Sequence, residues 1–189
     1  IDMGVSQRLP DSKHFQLKPL ADGVWAAIHA DGGYAICNAG IIDLGGRTLV
    51  FDTFMSPYAA LDLRAAAAAL TGRPADAVVL SHWHNDHIWG AQAFDAGTAL
   101  ISTEETRRLI LATRGEEDYD GFMLGAEGRF ERARARLQAA QSEAQRREAI
   151  LWVDYWQSVI EFRPILQVRQ PTLTFTEHLA CYGDARTVE

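Results

Sequence analysis

The chain has 189 residues, 48% of them hydrophobic and 23% charged, enough for one domain with a sizeable core and too apolar for a chain that is mainly disordered. The formal net charge is −7 and the lysines are Lys13 and Lys18, so the basic footprint of a nucleic-acid binder is missing. No stretch reaches the roughly 20 apolar residues of a membrane span, so no membrane partner is expected.

In chain order, 24–30 reads as a first strand and 34–44 as a second. Gly45-Gly46 turns the chain into a third at 48–54, which makes a hairpin. Cys37 lies in the apolar run of the second strand and reads as a small buried hydrophobe. Ser56 caps a helix with Pro57 in its first turn, and the helix ends near Gly72. The alanine run 65–69 lies inside it and fits helix propensity. A short buried strand covers 77–80. Another strand, 98–101, leads to Ser102 and Glu105, whose spacing opens a helix through about Ala112.

From 127 to 162 the pattern is helical throughout, with no proline until Pro164. Its arginines from Arg129 to Arg136, interleaved with glutamate, read as a solvated face. Its apolar end carries Trp152, Tyr155 and Trp156 and reads as a helix packed on the core, with a substrate-facing lid as the alternative. Short strands are expected at 172–176 and 179–182, with a turn at Gly183-Asp184. The order of elements implies a mixed α/β layered domain. Cys37 and Cys181 match no zinc or redox spacing, and neither a disulfide framework nor a secretory signal is visible, which points to the cytoplasm.

The chemistry concentrates in one loop. After the strand at 77–80 comes Ser81-His82-Trp83-His84-Asn85-Asp86-His87-Ile88-Trp89-Gly90, holding three of the six histidines. Imidazole and carboxylate suit zinc, and also iron or manganese. Residues two apart on extended backbone point the same way, so His82 and His84 can share one metal. A turn through Asn85 would let Asp86 and His87 face a second, adjacent one. Four such groups are costly to bury without a metal or other partners.

The pattern His-x-His-x-Asp-His after a short apolar strand resembles the metallo-β-lactamase superfamily. Asp52-Thr53 at the end of the hairpin strand and Gly90 after the motif agree. The resemblance implies a four-layer αββα sandwich with the site at the edge between its sheets. It implies His82 and His84 on a first metal, Asp86 and His87 on a second, and Asp52 as a supporting residue. Two Zn2+ ions per complete site are expected. The superfamily's third histidine, bridging aspartate and last histidine are not recognisable. His178 lacks their context, Asp184 reads as a turn, and His14 and His29 match nothing. Residues 1–189 are therefore expected to be the N-terminal part of a longer domain, incomplete at its C-terminus, with a helical insertion at about 116–163. That insertion would cover the site or form a homo-oligomer surface.

The implied function is a metal-dependent hydrolase of a small-molecule ester, lactone, amide or thioester, acting through metal-activated hydroxide. Asp86 would ligate metal and orient the nucleophile. The acidic charge disfavours the superfamily's nucleases. Trp83, where the glyoxalase-type thioesterases have a further histidine, disfavours those too. The alternatives are an iron-dependent redox enzyme on the same fold and a catalytically incomplete partner-binding module.

Overall fold

The computed structural model describes residues 9–189. Its first strand, β1 (Phe15–Ala21), was not expected, because Lys18-Pro19 breaks the strand pattern. Proline and lysine are tolerated there because β1 is the outer strand of the sheet, where backbone donors need no partner and charge discourages further pairing. β2 (Val24–His29) and β3 (Ala39–Asp43) follow, and β3 turns at Gly45-Gly46 into β4 (Thr48–Phe51). Residues 34–38 are not strand. Ile36 sits at φ 69°, a left-handed conformation that breaks the extended run expected there.

Helix α1 (Pro57–Thr71) has the expected ends: Ser56 accepts from the Tyr58 amide, and Gly72 closes the helix at φ 74°. Ala59, Ala60, Leu63, Ala66, Ala67 and Leu70 form its buried stripe, so part of the alanine run serves close packing as well as propensity. β5 (Ala77–Val79) leads into the motif. α2 (Asn85–Ile88) is a single helical turn, continued by a 3-10 turn over Trp89–Ala93. β6 (Ala99–Thr103) runs two residues further than expected. Thr103, not Ser102, therefore caps α3 (Glu104–Thr113), accepting from the Thr106 amide.

The expected continuous helix at 127–162 is two helices. α4 (Tyr119–Leu124) and α5 (Ala126–Ala139) precede a break at 140–142, and α6 (Glu143–Phe162) packs back along α5. Ser142 caps α6 by accepting from the Gln145 amide. The Gln145 side chain reaches back to accept the Gln141 amide at 2.9 Å, a reciprocal cap that the unbroken helical pattern obscured. β7 (Leu173–Phe175) joins the sheet, while β8 (Cys181–Tyr182) and β9 (Thr187–Val188) form a hairpin around Gly183-Asp184.

The main sheet runs in order from β1 to β7, antiparallel through β4 and parallel from β4 to β7. Alternation along its strands separates two faces. Val50, Val78 and Leu100 pair across β4, β5 and β6, and all are fully buried in the core shared with α1. Phe51, Val79, Ile101 and Leu173 align on the other face, beside the β8–β9 hairpin. This is the mixed α/β layering expected from the sequence. No helix among the described residues is long and apolar enough to cross a membrane.

Candidate metal centre

The motif lies beyond the carboxyl ends of β4 and β5, where the sheet changes from antiparallel to parallel. Chain ends diverge at such a position and leave a crevice for ligands. His82 and His84 leave β5 on extended backbone. His84 is the cap residue of α2, so Asp86 and His87 stand on its helical turn and not on the simple turn expected through Asn85. Backbone bonds tie this turn to β4: the Thr53 amide and hydroxyl both donate to the His87 carbonyl, at 3.0 and 2.8 Å. The Gly90 amide donates to the Phe54 carbonyl at 3.0 Å.

Asp52 organises the centre. It is buried at φ 60°, a strained conformation for a residue other than glycine, held by the bonds its side chain makes. A carboxylate only accepts. Asp52 Oδ1 takes the Ser81 amide at 2.8 Å, and Oδ2 takes the Ser81 hydroxyl at 2.8 Å and His87 Nδ1 at 2.7 Å. Since the Ser81 proton goes to Asp52, the 2.9 Å contact between Ser81 Oγ and His82 Nδ1 requires His82 to donate. One carboxylate thus holds a proton on Nδ1 of both rings, so Nε2 of His82, and Nε2 of His87 once it gives up its second proton, are the nitrogens that can ligate. The expected supporting role of Asp52 has a defined geometry.

The donors form two adjacent pairs. His82 Nε2 lies 3.1 Å from His84 Nδ1, and His87 Nε2 lies 3.4 Å from Asp86 Oδ2. Two tetrahedral ligands, each about 2.0–2.1 Å from zinc, are about 3.3 Å apart, so both pairs fit a shared ion. The His82 and His87 rings are 4.0 Å apart, which places the pairs side by side. Burial opposes a charge on His87, but hydrogen bonds to Asp52 and Asp86 outweigh it and push its pKa up to about 12. Burial lowers the pKa of His82, and the neighbouring His87 and His84 lower it further. Burial would raise that of Asp86, but its bond to His87 turns the shift downward.

One ligand candidate was misjudged from the sequence. Cys37 packs partly buried against the core, as its apolar setting implies, but it lies in the 34–38 loop and not in a strand, with its sulfur beside Asp86 and His87. The ligand atoms of these three residues lie within 4.8 Å of one another. His14 and His29 shape that loop. His14 Nδ1 accepts the Tyr34 amide at 3.0 Å and His29 Nδ1 the Ile36 amide at 3.1 Å, and burial lowers both pKa values, favouring the neutral, accepting ring. Nothing in the spacing of Cys37, His14 or His29 signals these roles. His178 is exposed between β7 and β8, and Asp184 is in the β8–β9 turn.

Asn85 is buried and shapes the loop, while Trp83 packs beside the His84 ring at 4.4 Å. α6 packs on the core through Trp156, Val159 and Phe162 and also braces the centre. Its Tyr155 hydroxyl donates to Asn85 Oδ1 at 3.1 Å, and Asp154 Oδ2 accepts the Gly32 amide at 2.9 Å. Tyr155→Phe leaves the Asn85 carbonyl oxygen without this donor and is expected to cost about 1 kcal/mol. Urea unfolding measures it, and a midpoint equal to the parent's would show the bond to be idle.

Fold and site together define an α/β protein with His82, His84, Asp86 and His87 clustered at the edge of its sheet. The profile of the metallo-β-lactamase superfamily matches residues 32–174, and the chain belongs to that superfamily. Its fold is similar to that of a metallo-β-lactamase from Pontibacter korlensis, at 12% identity and a TM-score of 0.55 over 92% of this chain and 58% of that one. A metallo-β-lactamase from Hirschia baltica aligns at 25% identity and a TM-score of 0.46, over 55% of this chain and 49% of its own. The chain spans about half the length of the solved structures it matches.

Proposed function

We propose that this chain carries the metal-binding half of the active centre of a metal-dependent hydrolase, whose substrates are small-molecule esters, lactones, amides or thioesters. The observation that carries this reading is the pair of donor sets at coordination spacing, His82 with His84 and Asp86 with His87. A catalytic zinc takes about three protein ligands and keeps an open position, so these residues supply part of each set. The chemistry supplied there is Lewis acidity, which brings the pKa of water to near 7 and polarises a carbonyl. Zinc fits the donors, and iron or manganese would also be accepted by imidazole and carboxylate.

The chain's own residues prepare the site. Asp52 and Ser81 hold the protons of His82 and His87 on Nδ1, away from the ligating nitrogens. Asp86 orients the attacking group. Trp83 offers an apolar wall beside His84. The acidic balance of the chain favours a small-molecule substrate over nucleic acid.

Elemental analysis of the purified chain, followed by a panel of chromogenic esters, lactones and thioesters, tests the reading. About one or two equivalents of zinc are expected. Hydrolysis is expected to be weak while part of each ligand set is missing, and in the completed centre it should be lost on chelation, be restored by zinc, and fall in acid as the histidines protonate. A chain that takes up no metal would sink the proposal. Coloured iron with no hydrolysis would point instead to redox chemistry on this fold.

A further inference from the structure

We infer that the thiolate of Cys37 is the third protein ligand of the metal position formed by Asp86 and His87. The inference rests on the reading of those two residues as ligands and adds a donor that the histidine motif does not contain. The Cys37, Asp86 and His87 ligand atoms lie within 4.8 Å of one another, the one such set of three or more among the described residues. The Asp86–His87 edge already has the length of a tetrahedral edge at 3.4 Å. Sulfur binds zinc at about 2.3 Å, against about 2.0–2.1 Å for nitrogen or oxygen, so its edges to the other two donors should be about 3.6 Å, and a sulfur within 4.8 Å of both has at most about 1.2 Å to close on metal binding. Sγ itself reaches the Asp86 backbone carbonyl at 2.8 Å, which places it on the turn that presents both other donors.

The sulfur is held there from several sides. Ile36 occupies the left-handed conformation just before it, with its amide on His29 Nδ1, and the His29 amide donates to Asn38 Oδ1 just after it. Cys37 is a free thiol, so no disulfide competes for it. On metal binding the thiol loses its proton to solvent and the sulfur takes its place in the coordination sphere, with no change of oxidation state. A sulfur, nitrogen and carboxylate set favours zinc or iron over manganese, since thiolate is a soft donor and manganese prefers oxygen. This position would then be the zinc- or iron-selective one of the two.

The test uses Cys181→Ser, in which Cys37 is the only thiol, titrated with cobalt(II) and separately with zinc. Cobalt should produce a near-ultraviolet thiolate-to-metal charge-transfer band that disappears when Cys37→Ser is added. Zinc should slow alkylation of Cys37 by iodoacetamide at least about tenfold, and Cys37→Ser should weaken metal binding by more than the roughly 10–100-fold typical of losing an outer-shell partner. The alkylation readout keeps Cys37 in place, so it stands even where Cys37→Ser folds poorly. Cobalt binding without the band, and zinc binding without protection, would overturn the inference while leaving the metal-centre reading intact. Failure of the chain to bind either metal would overturn both.

Discussion

Asp52→Asn is expected to lose metal binding by at least about 10–100-fold while leaving the fold close to intact. The amide has the same shape, so the Ser81 amide keeps its acceptor. The substituted Nδ2, however, stands where Oδ2 accepted from Ser81 and His87. It can only donate there. His87 must then accept at Nδ1 and carry its proton on Nε2. Ser81, now an acceptor toward position 52, donates to His82 Nδ1 and reverses that ring as well. Both ligating nitrogens become protonated donors. Asp52→Ala differs, because it strips partners from Ser81 and from the His87 imidazole and is expected to cost about 3 kcal/mol of stability. Calorimetric zinc titration paired with thermal unfolding separates the two variants. Parent-like zinc affinity in Asp52→Asn would show that the carboxylate does not set the tautomers.

The same pair gives a pH dependence with a definite sign. The His87 pKa rises from 6.5 to about 12 on folding without metal, because Asp52 and Asp86 outweigh the cost of burial. The protonated ring therefore stabilises the metal-free fold fully below about pH 6.5, and this contribution is lost as the pH climbs towards 12. The stability gap between the parent and Asp52→Ala should be widest in mild acid and narrow with rising pH. Metal must displace that proton, so zinc affinity should increase over the same interval. A gap that widens towards alkaline pH would contradict the His87–Asp52 assignment.

Gly90→Ala is expected to be strongly damaging, since among the described glycines an added Cβ comes nearest to another backbone there. An added Cβ would lie 1.9 Å from the Thr53 carbonyl oxygen and 2.7 Å from the Ala60 side chain. The first contact is with backbone, which has no rotamer to yield. Relief requires α2 and its 3-10 continuation to move away from the start of α1. The Gly90 bond to Phe54 and the paired Thr53 bonds to the His87 carbonyl lie on that seam. The expected loss is about 3 kcal/mol or more, at the upper end of overpacking costs, together with weaker metal binding as His87 shifts. Guanidinium unfolding and zinc titration read the two effects. A variant melting with the parent would mean that the seam opens freely.

Much of the protein was legible locally. Ser56-Pro57 and Gly72 mark the ends of α1 because caps and left-handed turns act within a few residues. The buried β5 strand and the motif after it brought His82, His84, Asp86 and His87 to notice, and the family resemblance singled out Asp52, whose bonds to Ser81 and His87 only the structure shows. The misreadings share one cause. Residues 34–44 have strand-like composition, but 34–38 are drawn into a loop by His14 and His29, which lie on or beside other strands. β1 hides behind Lys18-Pro19 because only its position in the sheet makes proline acceptable. The helix at 127–162 splits where packing of α6 back on α5 compensates for the break.

By itself, then, the sequence marked many of the elements, some of their ends and the donor types gathered in one loop, since propensity, capping and side-chain chemistry are properties of short segments. Tertiary structure decided which distant groups meet. Sheet register carries Asp52 to Ser81 and His87, the 34–38 loop carries Cys37 to Asp86, and α6 carries Tyr155 to Asn85. Those contacts come from burying one shared core, and no spacing along the chain encodes them.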